Sequence, residues 1–243
     1  MTKPLMRLNR FLSQAGIASR RKADMLIENG RIAVNGQIVT RLGIQIDEAK
    51  DKVACDGKPV GLVKQHVYLM LHKPVSYLVT TSDKFGRPTI FALLPKFRRL
   101  VKPVGRLDLN SSGLLLLTND GELAFRLTHP RYKIDKVYIV KCKGHVDDSE
   151  VARLESGVTL ETGPTAPAHA VPLARAESHS TLRITIHEGR KRQVRLMCRA
   201  IGHAVMELKR VGFGNLRLRD LKEGDFRPLT DSELKGLRRS VKL

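Results

Sequence analysis

Hydrophobic positions in the first 30 residues predict two short helices. Between residues 8 and 15 the apolar side chains recur at the spacing of one helix face, and Gly16 ends this helix. A second apolar stripe covers residues 23–27 and follows Ser19, whose side chain is suited to cap the start of a helix. The pattern therefore predicts a compact helical pair at the beginning of the chain.

Two hairpins are predicted after these helices. Short apolar runs on either side of Asn35–Gly36 predict a hairpin with a type I′ turn, because both central residues of that turn have positive φ. A second hairpin is predicted over residues 53–60, with Asp56–Gly57 as its turn. Together the helices and hairpins predict a small folded domain.

The longer remainder of the chain mixes strand and helix patterns. Residues 61–66 are interpreted as a linker, which leaves a small domain at 1–60 and a larger one at 67–243. A segment with three prolines, residues 162–172, is expected to form a loop or at most an edge strand. The mixture of elements predicts the α+β class. Strands are predicted at 67–71, 101–104, 114–118, 137–142 and 182–187, and helices at 121–127, 148–156 and 194–201.

The composition is that of a folded and strongly basic chain. Of the 243 residues, 42% are apolar and 28% are charged, which is typical of a globular protein. The formal net charge of +20 indicates a polyanionic partner, and nucleic acid is favoured over acidic lipid because no basic amphipathic anchor is evident. The cations concentrate in residues 1–41 and 183–219, as expected for a surface that follows phosphates.

Several functional classes are disfavoured by what the sequence lacks. It has no apolar run of about 18 residues and no apolar signal-peptide core, so we expect a cytoplasmic protein without a membrane span. Three widely spaced cysteines form no CxxC pair, which argues against a disulfide framework and a zinc ribbon. Phosphate-binding and dinucleotide-binding glycine motifs are also missing. The use of a nucleotide or dinucleotide cofactor is therefore not indicated.

Two segments of the larger domain carry candidate chemistry. The loop 105–113, GRLDLNSSG, places Asp108 beside a cation between two predicted strands, and taken alone it is typical of an ordinary turn with an ion-paired aspartate. The segment 188–195, EGRKRQVR, is a dense group of cations in which Arg192 and Arg195 are predicted to share one side of a helix. A buried carboxylate held by arginine stays ionised, which is the state that a nucleophile requires.

The N-terminal segment resembles a known RNA-binding module. Its order of helix, helix and hairpin, RLNRFLSQAGIASRRKADMLIENGRIAVNG, is similar to the αL motif of S4-type domains over roughly residues 5–50. Cations at the predicted start of the second helix oppose the helix dipole unless a phosphate lies between them. The resemblance implies binding of structured RNA. The RNA contacts expected in this domain are Arg7, Arg10, Arg20, Arg21, Lys22 and Arg31.

The rest of the chain resembles the RsuA/RluB branch of ribosomal RNA pseudouridine synthases, and most closely its RluB-like group. The resemblance rests on VGRLDLNSSGLLLLTNDGELAFRLTHPRYKIDKVYIV followed by IHEGRKRQVRLM. It implies a catalytic domain with a mixed, largely antiparallel sheet flanked by helices. It also implies that Asp108 is the catalytic aspartate, that Tyr138 contacts the base and that Arg195 partners the carboxylate. Further RNA contacts are expected at Arg106, Lys136, Arg190, Lys191 and Arg192.

The resemblance implies isomerisation of a flipped-out uridine in ribosomal RNA to pseudouridine, without a cofactor or metal. We expect 23S rRNA to be favoured over 16S rRNA, as free RNA or in a subunit assembly intermediate, and we expect a monomer. Whether Asp108 attacks C6 of the base, attacks C1′ of the sugar or assists proton removal at C2′ stays open. Two other hypotheses are a non-catalytic ribosome assembly factor, motivated by the N-terminal module alone, and a DNA-binding protein.

Overall fold

The structure is a computed structural model that describes residues 5–62 and 65–243. The chain divides into two compact units, Met1–His66 and Val67–Leu243. The boundary falls at the end of the predicted linker, of which residues 63 and 64 lie outside the described part of the chain. Each unit has its own apolar core.

The N-terminal unit combines two helices with short antiparallel strands. The helices are α1 (Leu8–Gln14) and α2 (Arg20–Glu28), and the strands are β1 (Met6–Arg7), β2 (Ile32–Val34), β3 (Gln37–Val39), β4 (Gln45–Ile46), β5 (Val53–Cys55) and β6 (Lys58–Val60). Strands β3, β2, β5 and β6 form one sheet in that order, and β1 pairs with β4. Both predicted helices and both predicted hairpins are confirmed.

Local sequence explains why these elements form. Asn35 and Gly36 have φ angles of 51° and 83°, which is the left-handed geometry that the predicted type I′ turn requires. Ser19 caps α2, because its Oγ accepts a hydrogen bond from the backbone N–H of Lys22 at 3.4 Å. One face of α1, including the fully buried Leu12, packs into the apolar core of the unit.

The C-terminal unit is built on a nine-stranded sheet with helices around it. Its helices are α3 (Gly121–Thr128), α4 (Asp148–Ser156), α5 (Gln193–Ala200) and α6 (Asp231–Ser240). Its strands are β7 (Tyr68–Lys73), β8 (Lys102–Pro103), β9 (Ser112–Thr118), β10 (Lys136–Lys143), β11 (Thr159–Leu160), β12 (Gly163–Pro164), β13 (His169–Arg175), β14 (His179–Ile186), β15 (Val205–Phe213), β16 (Leu216–Arg217) and β17 (Phe226–Pro228).

The large sheet has the strand order β13-β14-β10-β15-β9-β7-β17, with β16 on β15 and β8 on β9. The pairing of β15 with β9 is parallel, and the other pairings are antiparallel. This parallel contact joins two antiparallel halves of the sheet. The predicted α+β class, with a mixed and largely antiparallel sheet, is therefore confirmed.

The junction between the two halves is unusually close. Gly113, at the start of β9, has a φ of 111°, and a Cβ atom there would lie 2.2 Å from the backbone oxygen of Arg210 on β15. Any side chain would force the strands apart, so the junction requires glycine. The strand registers align this glycine in one row across the sheet, in the order Ile184, Tyr138, Arg210, Gly113 and Lys73.

Some predicted elements need correction. The strand predicted at 101–104 is only β8, where Pro103 has no N–H to donate to β9. Strand β15 was not predicted, since Glu207, Lys209 and Arg210 interrupt its apolar pattern. Helix α6 was not predicted either, although it begins with a complete capping box. The proline-rich segment does lead into an edge strand, β13.

Candidate active site

A cavity of about 290 Å³ opens where the central row of the sheet meets the loop before β9. Its walls come from that loop, from the start of β10, from the segment after β14 and from β15. Asp108, Lys136, Tyr138 and Arg210 all line it. The volume lies near the lower limit for small-molecule sites in proteins, which is roughly 300 Å³. Residues far apart in the sequence thus converge on one concave site.

Asp108 lies half-buried in the loop between β8 and β9. Its backbone oxygen accepts a hydrogen bond from the backbone N–H of Ser111 at 3.1 Å, which closes a tight turn after it. Within residues 5–62 and 65–243, no hydrogen bond or ion pair engages the carboxylate itself. The carboxylate therefore lines the cavity as an uncommitted acceptor.

Lys73 holds this loop from the end of β7. Its side chain is fully buried, and Nζ donates to the backbone oxygens of Ser111 at 2.7 Å, Pro74 at 2.8 Å and Leu109 at 3.4 Å. Burial lowers the pKa of Lys73 to about 8, and the nearby Asp108 carboxylate opposes this shift. The three carbonyl oxygens compensate the buried cation and fix the backbone on both sides of the turn. The sequence analysis did not identify this residue.

Arg195, on α5, holds the same loop from another side. Its Nη2 donates to the backbone oxygen of Asn110 at 2.6 Å, and its Nη1 donates to that of Val205 at 3.2 Å. Burial and Arg192 lower the pKa of Arg195, whereas the Asp108 carboxylate raises it, so the two charges do interact. In the described part of the chain, however, no ion pair joins them. The direct ion pair that was expected between Arg195 and the carboxylate is thus not formed here, since two of the guanidinium N–H groups bind backbone carbonyls and Nε has no partner among the described residues. The role of Arg195 at the site stays a prediction.

Tyr138 and Lys136 face the cavity from the start of β10, as expected for residues two apart on a strand. The half-buried ring of Tyr138 packs between two of the apolar clusters of the unit. Lys136 Nζ donates to the backbone oxygens of Ile134 at 2.6 Å and His187 at 2.8 Å. Burial, followed by the charge of Arg210, lowers the pKa of Lys136 to about 8. Two of the three donors of this ammonium are thus committed to the protein.

A polar network organises the segment between β14 and α5. Buried Gln193 donates from Nε2 to Glu188 Oε2 at 2.7 Å and accepts from the backbone N–H of Arg190 at 3.0 Å. The guanidinium of Arg190 donates to Glu188 Oε1 at 3.0 Å and to the backbone oxygen of Gly163 at 3.0 Å. Further bonds to the backbone oxygens of residues 162 and 164 engage the same guanidinium, and its contact with RNA stays a prediction.

The remaining predicted cations surround the mouth of the cavity. Arg106, Lys191 and Arg192 are exposed, line the cavity and form no side-chain hydrogen bond or ion pair with the residues that the structure describes. Arg192 is not inside a helix as expected: it is the N-cap residue of α5, with a left-handed φ of 54°. These three side chains remain available to phosphates.

In the N-terminal unit, five of the six expected RNA contacts are exposed cations on the first strand and the two helices. Arg31 differs, because its Nε donates to Asp56 Oδ1 at 2.8 Å and its charge is matched there. Arg31 is nevertheless exposed and its Nη1 takes no part in this ion pair, so its contact with RNA stays a prediction. The other five residues are Arg7, Arg10, Arg20, Arg21 and Lys22; the last three, at the start of α2, form the helix-start cluster.

Two family models match this chain. RNA pseudouridylate synthase matches residues 67–200, and the S4 domain matches residues 6–53. The first covers the C-terminal unit from β7 to α5, with most of the cavity lining, and the second covers the N-terminal unit up to the start of β5. The chain therefore belongs to the RNA pseudouridylate synthase family, whose members are isomerases, and it carries an N-terminal S4 domain.

Similar proteins agree with this assignment. Ribosomal large subunit pseudouridine synthase B of Bacillus subtilis (strain 168) is 44% identical over 96% of this chain and 95% of its own length. An uncharacterized RNA pseudouridine synthase of Aquifex aeolicus (strain VF5) is 45% identical over 98% of this chain and 96% of its own length. A crystal structure of a pseudouridylate synthase, 31% identical, covers 96% of this chain and 99% of its own with a TM-score of 0.71.

Within residues 5–62 and 65–243, no helix is both long and apolar enough to cross a bilayer. In the same residues, no cluster of three or more His, Cys, Asp or Glu side chains is arranged to hold a metal ion. Cys55, Cys142 and Cys198 are free thiols.

Proposed function

We propose that this chain converts one uridine of ribosomal RNA to pseudouridine, with Asp108 as the nucleophile and 23S rRNA favoured over 16S rRNA. The observation that carries the proposal is the Asp108 carboxylate, which lines the cavity uncommitted while Lys73 and Arg195 fix its loop. The family gives the class of reaction. The preference for 23S rRNA is supported by the name of the Bacillus subtilis relative, which acts on the large ribosomal subunit.

Substrate binding begins with the RNA backbone. A uridine stacked in RNA cannot reach a cavity, so it must flip out at a cost of a few kcal/mol. Phosphate contacts by Arg106, Lys191 and Arg192 at the cavity mouth, together with those of the S4 domain, offset this cost. Arg106 lies two residues before Asp108 in the sequence, and we propose that its side chain fills the space that the flipped base leaves in the RNA.

The chemistry exchanges one bond of the sugar for another. Asp108 attacks C6 or C1′, or assists proton removal at C2′, and the C1′–N1 bond breaks. The uracil then rotates against the Tyr138 ring and C1′ bonds to C5. The bond to Asp108 breaks again, or the C2′ proton returns, so that the free carboxylate is regenerated, and the C5 proton leaves while N1 gains a proton. No net oxidation or reduction occurs, so the proposal includes neither a cofactor nor a metal. The enzyme is taken to act as a monomer in the cytoplasm, on rRNA or on an assembly intermediate.

Mapping of pseudouridines in rRNA by carbodiimide modification and primer extension tests this proposal. Cells that lack the gene should lose a pseudouridine stop in 23S rRNA, and the wild-type gene should restore it. The Asp108→Asn variant should not restore it, whereas Asp220→Asn should, because Asp220 is exposed and does not line the cavity. A deletion strain that keeps every pseudouridine while its subunit assembly suffers would favour the assembly-factor hypothesis instead.

The DNA-binding hypothesis is separated by competition. At one fixed salt concentration, an rRNA fragment that contains the mapped site should displace labelled rRNA from the protein far better than duplex DNA of equal length does. Salt must be held constant because electrostatic affinity for either polyanion changes steeply with ionic strength. Equal competition by duplex DNA would contradict a specific role in RNA.

A further inference from the structure

Arg210 is a buried cation that the proposed chemistry has not used. It lies on β15 between Tyr138 and Gly113 in the central row of the sheet, and its side chain is 3% exposed. Its Nε donates to the backbone oxygen of Leu114 at 2.8 Å, which ties it to the beginning of β9. Its Nη2 is buried and has no hydrogen-bond partner within the described residues.

A buried guanidinium N–H without a hydrogen-bond partner costs free energy, which suggests that a bound substrate supplies the acceptor. The Arg210 guanidinium lies 5.2 Å from the centre of the Phe213 ring, a contact that supports the charge without satisfying the N–H. Lys136 lies close enough for their charges to repel. In the described part of the chain, no carboxylate pairs with either cation. The site therefore holds excess positive charge in front of an open cavity.

The residues around Arg210 indicate which part of a bound base would accept a hydrogen bond from its free N–H. Arg210 and Tyr138 are directly opposite on neighbouring antiparallel strands, where Cβ atoms are typically about 5 Å apart. Both side chains line the cavity. A base that lies against the Tyr138 ring therefore presents its edge to Arg210 and Lys136, two groups that only donate hydrogen bonds. The pyrimidine that fits donors is one with carbonyl oxygens on its edge.

We propose that Arg210 binds a carbonyl oxygen, O2 or O4, of the flipped uracil, and that a contact at O4 would also select uracil over cytosine. This inference rests on the proposed function and goes further, because it assigns the recognition of the base. Uracil carries two carbonyl acceptors, whereas cytosine carries an amino donor in place of O4. Each of the three possible roles of Asp108 puts negative charge on the carbonyl oxygens of the uracil. The charge arises either when a nucleophile adds at C6 or when the base is released from C1′. A guanidinium held ready at such an oxygen stabilises that charge.

The test combines a variant with a change of one substrate atom. An rRNA fragment with the mapped uridine is compared with fragments that carry 2-thiouridine or 4-thiouridine there, because sulfur accepts hydrogen bonds more weakly than oxygen. Single-turnover rates are measured at saturating enzyme by nucleoside chromatography. Arg210→Met keeps the buried length but removes the charge, and Arg183→Met, on the exposed side of β14, is the matched control.

We expect sulfur at one of the two positions to slow the wild-type enzyme by about tenfold. Arg210→Met should bind the natural fragment normally but convert it about 100-fold more slowly, and the sulfur effect should vanish in it. Arg183→Met should retain both the rate and the sulfur effect. Arg210→Lys, which keeps a charge but not the guanidinium fork, should show a reduced sulfur effect.

Three results would overturn the assignment: no sulfur effect in the wild type, an equal sulfur effect in wild type and variant, or wild-type turnover by Arg210→Met. If Arg210→Met does not fold, the proposal is tested by the rates of the wild-type enzyme and of Arg210→Lys on the oxygen and sulfur fragments. An undiminished sulfur effect in Arg210→Lys contradicts the proposal. Failure of the proposed function has a different signature, since the wild-type enzyme would then form no pseudouridine in any fragment.

Discussion

The two units of this chain use their positive charge in opposite ways. In the S4 domain, the helix-start cluster is exposed and forms no side-chain bonds with the described residues. In the C-terminal unit, three cations are buried or half-buried, and each donates to backbone carbonyls around the loop of Asp108. These cations are Lys73, Arg195 and Arg210. Exposed cations exchange small ions for phosphates, whereas buried cations determine geometry. The first group should therefore govern affinity, and the second should govern rate.

The largest effect should follow from the loss of the buried Lys73 ammonium, which holds the loop of Asp108. Lys73→Met removes the ammonium donor from three backbone carbonyls, of which that of Leu109 keeps the backbone N–H of Ser76 as a donor. We expect a cost of about 3 kcal/mol in the free energy of unfolding. Because the loop then moves relative to the cavity, we expect a single-turnover rate at least 100-fold lower, on the order of what misplacement by about 1 Å costs. Lys143→Met, an exposed lysine on β10, should change neither quantity. Urea unfolding and RNA turnover measure the two effects, and wild-type turnover by Lys73→Met would contradict the role of this lysine.

A stability effect of similar size is expected at the junction of β9 and β15. In Gly113→Ala the new Cβ would lie 2.2 Å from a backbone oxygen and at a φ of 111°, so the strands must separate. We expect a loss of about 3 kcal/mol or more in the free energy of unfolding, measured with urea. Gly121→Ala is the control, because Gly121 begins α3 and has open space around its Cβ position. Equal stability of the two variants would contradict the close contact.

A smaller and pH-dependent effect is expected at α6. The side-chain hydrogen bonds from Arg227 lower the pKa of Glu233 to about 2 in the folded protein, against an ordinary value of 4.5. Stability from this carboxylate is therefore complete above pH 4.5 and is lost as the pH falls from 4.5 towards 2. Glu233→Gln should cost about 2 kcal/mol at pH 7 and much less at pH 3, measured by thermal unfolding. Glu177→Gln, an exposed control, should cost nothing at either pH.

The smallest effect should come from the S4 domain. Replacement of all three residues of the helix-start cluster by Gln should weaken RNA binding by about tenfold and reduce the slope of log Kd against log salt by about 2 to 3. The turnover rate at saturating RNA should not change. A triple variant at Lys222, Lys235 and Arg239 removes the same charge from the catalytic unit. If both triple variants lower affinity equally, net charge and not the cluster determines binding.

The sequence predicted local structure better than it predicted the site. Both turns with Asn or Asp before Gly, the Ser19 cap and the loop of Asp108 could be recognised because turns and caps depend on a few neighbouring residues. Strand β15 was missed because its central Arg210 faces a cavity, and the hydrophobic pattern treats a buried cation as a surface residue. For α6 the signal was present, since Thr230 and Glu233 form a capping box.

The partners of the arginines could not be predicted. Arg195 was expected to bind the Asp108 carboxylate, and Arg190 was expected to bind RNA, but both donate to backbone oxygens. Every residue carries a carbonyl, so the sequence gives no sign of which ones a fold will bring within reach of a guanidinium. Side-chain chemistry identifies which residues belong near a site, and only the fold determines what they bind.

The account depends most directly on Asp108 as the group that acts on uracil. The decisive measurement is tritium release from an rRNA fragment labelled at C5 of the mapped uridine, at RNA concentrations that saturate each protein. Asp108→Asn should bind the fragment with wild-type affinity and release tritium at least about 10⁴-fold more slowly, whereas Asp220→Asn should match the wild type. Release by Asp108→Asn at a rate near that of the wild type would show that this carboxylate is not the nucleophile.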